Sequence, residues 1–401
     1  MTDRSLFEKG NSSNIKWIEG IIYILFALGP LTGNVILVLF GTLSTEFHVT
    51  PAEVSIAIPA FMFPFAIIQL FSGALSDVRG RVPIILIGLI IFGISMTIGI
   101  FSFSLPIFLL ANFLAGVGFG FVNPVLIALM TDISPGSKIP KKMGLLGAVA
   151  NLGVGVGPLI AGIISLFNWR LLYVIFLIIT IIGFIGMFRI RGSHMIRSER
   201  ENLRLFYARL KSELGNFSSI LMIFSTFLIA FTFLATTIWT SRVFAQSIPE
   251  SITGLVIGSV GIFGAITGVF IGSIIKKKGI YYALVIGVVA LFVGLFVLLA
   301  LGNITDFSLI GYVTIGLILI GVSGGALLPS VMYYSQIQSR EKRGVLAGLA
   351  TAGQFIGIAL VPIIYEPFFT IGGIRLVYFC IVILGIVLTI TLGFLFKKVP
   401  R

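Results

Sequence analysis

The stretch from Val54 to Phe101, VSIAIPAFMFPFAIIQLFSGALSDVRGRVPIILIGLIIFGISMTIGIF, decides the fold. Two apolar runs, 54–74 and 83–101, flank a short connection that carries Asp77, Arg79 and Arg81. Each run has about 20 residues, the length that takes an α-helix across the hydrocarbon core of a bilayer. Working outward, the same alternation of apolar run and charged or Gly/Pro-rich break predicts ten further spans. They lie near 20–41, 106–130, 144–166, 171–189, 217–240, 253–275, 280–302, 308–334, 344–366 and 373–396. Of the 401 residues 58% are apolar and 10% charged, where a soluble protein has about 25% charged residues. A soluble enzyme is excluded, and the reading is an all-α membrane protein with twelve transmembrane helices. Residues 1–16 are polar and the run 21–41 is too long for a signal-peptide core, so it is taken as the first span.

The longest hydrophilic connection, Arg189 to Asn216, divides the spans six and six. The expected organisation is a six-helix bundle over 1–190, a cytoplasmic linker over 191–216, partly helical around Glu199 to Glu213, and a second bundle over 217–401. Within the linker, Gly192-Ser-His-Met195 reads as a vector-derived insertion, and Val399-Pro-Arg401 as a protease-site remnant. Counting Lys and Arg in alternate loops places 24 of 27 on one side, with Arg170, Arg242 and Arg375 alone on the other. Positive charges are retained on the cytoplasmic side, so both termini are expected there. The net charge of +13 therefore reflects membrane topology and not a nucleic-acid partner. The single Cys380 excludes an intramolecular disulfide.

The halves repeat. Gly73-Ala-Leu-Ser-Asp-Val-Arg-Gly80 after span 2 returns as Gly272-Ser-Ile-Ile-Lys-Lys-Lys-Gly279 after span 8, 199 residues on. Gly144, Gly153 and Gly157 in span 5 return as Gly344, Gly353 and Gly357 in span 11, 200 residues on. Two pseudo-symmetric bundles with a ligand site between them follow from such a repeat.

Polar side chains are costly on lipid-facing surfaces, so they mark helices that face the interior. The amides are Asn34, Gln69, Asn112, Asn123, Asn151 and Gln354, with Gln336 at the edge of span 10, while spans 3, 6, 9 and 12 carry none. Each amide serves either as interhelical glue worth about 1 kcal/mol or as the lining of a substrate path. Asn34, Asn112, Asn123, Asn151 and Gln354, with Trp239 and Tyr333, are the substrate-binding candidates. Further aromatics that could form an apolar pocket are Phe61, Phe63, Phe65, Phe231, Phe233, Tyr334, Phe355 and Tyr365. The carboxylates map to the edges of the spans, Glu19, Asp77, Asp132 and Glu341 on the cytoplasmic side. Coupling to a proton gradient usually needs a buried carboxylate near the midplane, which the sequence does not offer. The histidines, His48 and His194, fall in loops, so no metal cluster, catalytic residue or cofactor is expected.

Gly73-x-Leu75-Ser76-Asp77-x-x-Gly80-Arg81 resembles the signature loop of the major facilitator superfamily. Its glycines allow a tight turn, and Asp77 is suited to cap a helix amino terminus and to pair with a basic group. In the family the loop is thought to latch the outward-facing state. Gly153-x-x-x-Gly157-Pro158-x-x-Ala161-Gly162 in span 5 resembles the antiporter motif of the twelve-span drug:proton antiporter branch, and Ala27-Leu28-Gly29-Pro30-Leu31 looks like the bicyclomycin-resistance type. The resemblance covers the whole chain and implies a multi-pass protein of the cytoplasmic membrane, monomeric, exporting amphipathic molecules by alternating access. The branch commonly has an acid where this chain has Asn34, and an Arg in span 4 where it has Asn112. Proton coupling is therefore in doubt, and a facilitator or importer of a neutral metabolite is the alternative. A non-transporting receptor is the reading of another class.

Overall fold

The computed structural model describes residues 12–135, 138–190, 203–301, 304–338 and 343–397. The first part of the chain forms α1 (Ser12–Val35), α2 (Phe40–Phe47), α3 (Pro51–Ser55), α4 (Ala57–Arg79), α5 (Arg81–Ile100), α6 (Leu105–Asp132), α7 (Ile139–Ile164) and α8 (Arg170–Arg189). The helix α9 (Leu203–Leu214) precedes α10 (Phe217–Phe244), α11 (Glu250–Lys278), α12 (Ile280–Leu301), α13 (Ile310–Gln338) and α14 (Arg343–Phe396). Non-helical backbone at Gly372 and Gly373 breaks α14 between the two spans expected there, so the twelve predicted spans are all present. The proposed insertion at Gly192 and the remnant at Val399 lie outside the described residues.

Helices are the available solution because lipid cannot satisfy backbone polar groups. The hydroxyls of α10 obey the same constraint: Thr232, Thr236 and Thr240 are buried, and each donates to a carbonyl four residues back. The outward faces of α5, α8, α12 and the second part of α14 are apolar, with Ile90, Ile182, Val289 and Ile390 among the exposed side chains. These are spans 3, 6, 9 and 12, the ones without amides, and they form the lipid-facing rim.

Packing follows the repeat. In the first six spans α7 lies along α1 and α4 along α6, while in the last six α14 lies along α10 and α11 along α13. Gly153 and Gly157 of α7 sit against Ala27 to Leu31 of α1, and Gly353 and Gly357 of α14 sit against Ile223 to Phe227 of α10. The two connections 199 residues apart share a backbone turn as well, since Gly80 has φ of 93° and Gly279 φ of 89°. Only glycine adopts that region freely.

Two expectations change. Span 1 does not run to residue 41: α1 ends at Val35, and Leu37, Val38 and Leu39 donate to carbonyls three residues back before α2 begins. The apolar run 35–40 is buried within the protein, so its hydropathy reflects packing and not lipid. Asp77 does not cap a helix amino terminus. It lies in the last turn of α4 and pairs with Arg81, four residues on, while the N-cap of α5 is Gly80 without a side-chain bond.

Candidate functional site

The two sets of six helices meet along two seams, α7 with α11 and α4 with α14. On the first seam Gly155 lies against Gly258, Gly261 and Ile262, and Gly162 against Gly254, so that the backbones touch. A side chain at either Gly261 or Gly254 would drive into the facing helix. The span 5 motif is thus divided by function: Gly153 and Gly157 pack inside their own set, whereas Pro158 and Gly162 meet α11. On the second seam Phe65 of α4 meets Phe355 of α14 edge-on, with ring centroids 4.5 Å apart.

Contact along the seams is graded. Gly73 of α4, Gly144 and Gly147 of α7, Gly272 of α11, and Gly344 and Gly348 of α14 have open space where a side chain would stand. All six lie toward the basic end, where Arg81, Lys142 and Lys276 are found. At the opposite end the halves are joined. The Ser241 hydroxyl of α10 donates to the Leu37 carbonyl, and Thr42 of α2 donates to Glu250 of α11 at 2.7 Å. Arg170 holds α2 in place: it donates to Glu46 at 2.9 Å and to the Ser102 carbonyl at 2.8 Å, and its guanidinium covers Trp169. The helices are apart at the basic end and closed at the other.

A cavity of about 530 Å³ opens between α11 and α13, lined by Gly268, Ile271, Gly272, Lys276, Pro329 and Tyr333 among others. Tyr333 is exposed there, and the Asn151 amide of α7 reaches the same Gly268 from across the seam. Gln354 is half-buried beside the Phe65–Phe355 contact. The structure therefore brings Asn151 and Tyr333 to one opening, and Gln354 stands next to Phe355 in the sequence of α14. Asn112 and Trp239 lie elsewhere. Asn112 is buried inside the first set, where its amide donates to the Phe108 carbonyl at 2.9 Å and contacts Tyr173 within a cluster of Phe47, Phe108 and Trp169. Trp239 is fully buried between Phe369, at 4.8 Å, and the guanidinium of Arg242, which pairs with Glu366. Asn34 spends its amide on the Pro30 carbonyl of its own helix at 2.7 Å, and Asn123 is half-buried on α6 next to Pro124. Helical phase places these residues inside a bundle, and only packing decides which of the inward directions each one takes.

In the signature loop Arg81 is the hub. Its guanidinium pairs with Asp77, donates to Asp132 at 2.9 Å and to the Ser76 hydroxyl at 2.7 Å, and so ties the ends of α4 and α6 to the start of α5. The glycines Gly73 and Gly80 leave room and turn for it. Two residues named in the sequence, but not among the substrate-binding candidates, also stand out. Gln69 is buried on α4, with its amide nitrogen unpartnered among the described residues. Glu19, one of the edge carboxylates, pairs with Lys142, and the spacing of Glu19 to Tyr23 is the signal that marks that face of α1.

The family model of the Major Facilitator Superfamily matches residues 22–362. The chain belongs to the Major Facilitator Superfamily. It is a multi-pass membrane transporter, not an enzyme. Among curated relatives, the Multidrug resistance protein D of Escherichia coli (strain K12) is 26% identical over 164 residues, covering 40% of this chain and 41% of the relative. The Quinolone resistance protein NorA of Staphylococcus aureus is 30% identical over 126 residues, 31% of this chain and 32% of the relative. The chain thus spans about a third to two fifths of these relatives' length. Among solved structures, a D-xylose-proton symporter superposes with a TM-score of 0.77 at 16% identity, covering 96% of this chain and 98% of that one. The nucleoside transporter NupG superposes with a TM-score of 0.75 at 14% identity, covering 95% and 100%. At these identities the likeness establishes the fold.

Proposed function

We propose that this superfamily member exports amphipathic small molecules by alternating access, its two six-helix bundles, 1–190 and 217–401, rocking about the α7–α11 and α4–α14 seams. The observation that carries the reading is the gradient along those seams: backbone contact at one end and open space at the other. Rigid bundles that touch through glycine can exchange which end is closed without losing their own cores. In this reading the basic end faces the cytoplasm, the open state receives ligand from the cell, and the Ser241–Leu37 and Thr42–Glu250 bonds form the outer gate. Asn151, Gln354 and Tyr333 orient the ligand, and Phe65 and Phe355 supply apolar area. The resistance named in the relatives supports efflux.

The experiment is accumulation of a lipophilic cationic dye and a neutral one in cells with and without the protein, before and after a protonophore. Expression is expected to lower accumulation of at least one dye, and a protonophore that abolishes the effect identifies proton coupling. The facilitator reading is favoured by one observation: among the described residues every carboxylate within a helix lies near a helix end, apart from Glu19 and Glu366, which Lys142 and Arg242 occupy. Unchanged accumulation of both dyes would select it.

A further inference from the structure

Glu19 lies seven residues inside α1, within the membrane-spanning segment Ile15–Val35, and its carboxylate pairs with Lys142 of α7. The two side chains retain only 14% and 18% of their exposure. One turn deeper, the Tyr23 hydroxyl is buried without a hydrogen-bond partner among the described residues. Gly20 beside Glu19, and Gly144 and Gly147 beyond Lys142, have open space where side chains would be. The pair continues the α1–α7 contact in register: Lys142 is 11 residues before Gly153, and Glu19 is 11 before Pro30, which Gly153 touches. It therefore stands about 16 Å along the helix axis from that contact, at the mouth of the open end. Among the described residues, Lys16, Lys138, Lys141 and Arg189 at this end of the molecule are exposed.

Burying an ion pair in an apolar bundle costs several kcal/mol per ion before Coulomb attraction offsets it, and ionisable groups inside spans mark ligand paths. Neutrality limits what this pair can accept. A simple cation that took Glu19 would leave the part-buried Lys142 without a counter-charge, and a simple anion that took Lys142 would strand Glu19. A ligand that carries both charges leaves neither alone, because one part-buried pair becomes two. We infer that Glu19, Lys142 and Tyr23 form an entry subsite for zwitterionic amphipaths. The ligand's ammonium sits on Glu19, its carboxylate on Lys142, and Tyr23 supplies a further hydrogen bond. The inference rests on the transporter reading for its purpose, but the binding it describes is independent of transport direction and energy source.

The test is binding to the purified full chain in detergent, followed by quenching of the exposed Trp17 on the same end of α1 and checked by equilibrium dialysis. The probes are an aromatic amino acid bearing an alkyl chain, its methyl ester (a cation) and its N-acetyl derivative (an anion). The wild type is expected to prefer the zwitterion to either derivative by about tenfold or more. In Glu19→Gln the preference over the N-acetyl anion is expected to disappear, and in Lys142→Gln the preference over the ester. Because each single variant strands a charge, the neutral double variant Glu19→Gln/Lys142→Gln and the exchanged double variant Glu19→Lys/Lys142→Glu accompany them. The exchanged pair is expected to restore the zwitterion preference, and the neutral pair to abolish it. Equal binding of the three probes to the wild type, or a preference unchanged in the neutral double variant, overturns the subsite. Dye export that persists in the neutral double variant leaves the transport reading standing, whereas zwitterion binding without any transport in vesicles removes that reading and keeps the subsite.

Discussion

Arg81 shows how much one side chain can hold together at a membrane surface. Its planar fork satisfies Asp77, Asp132 and Ser76 at once and joins three helix ends. Lysine keeps the charge but has no fork, so it can keep one of these bonds well but not all. Arg81→Gln is expected to leave two carboxylates facing each other and to destabilise the first bundle by about 2–4 kcal/mol. Arg81→Lys is expected to fall between that variant and the wild type. Thermal unfolding in detergent checks the order; a lysine variant as stable as the wild type would show that charge alone matters here. The sequence named the residues of this loop and mistook one role. Asp77 reads as a capping residue because it precedes a helix, yet the chain keeps α4 helical through Arg79 and turns only at Gly80.

At the scale of elements, the seams and the outer gate do the positioning. Gly261 of α11 faces the backbone of Gly155 so closely that any side chain requires the helices to part. Gly261→Val is therefore expected to hold the halves apart at the outer end and to cut transport at least tenfold, with the fold intact by size-exclusion chromatography; normal transport would show that this contact is not needed for closure. The hydroxyl bonds of the gate work in the opposite direction. Each is worth about 1 kcal/mol, so the double variant Thr42→Val/Ser241→Ala is expected to raise the share of molecules open at that end by about 30-fold, since two bonds amount to about 2 kcal/mol. Labelling of a cysteine at Thr45, in a background with Cys380→Ser, measures that share, and an unchanged rate would remove these bonds from the gate. Span number, span spacing and the lipid-facing rim were legible in the sequence because each rests on hydropathy or on the distribution of amides along one helix. The end of α1 was not, because residues 35–40 are apolar for burial between helices, and hydropathy does not distinguish that from lipid. The candidate site was legible in part. Asn151 and Tyr333 reach the cavity, but Asn112 and Trp239 turn into aromatic clusters of their own bundles, a choice that depends on neighbours far away in the sequence.

For the whole molecule, the decisive quantity is which way the open end faces. In the proposed orientation, which rests on charge retention on the cytoplasmic side, the loop with Lys276, Lys277 and Lys278, and both termini, face the inside of the cell. The open ends of the seams lie on that same side of the molecule, next to Lys142 and Lys276. Orientation and conformation are therefore linked: with the basic end inside, the structure is the state that loads from the cytoplasm, and export needs the outer gate to open next. Single cysteines at Lys277 and at Asn168, introduced in the Cys380→Ser background, separate the alternatives in intact cells. A membrane-impermeant maleimide is expected to label Asn168→Cys from outside and to reach Lys277→Cys only after the cells are broken. The opposite pattern would turn the cleft outward, make this the state that loads from the medium, and convert the same gate and seams into the machinery of an importer.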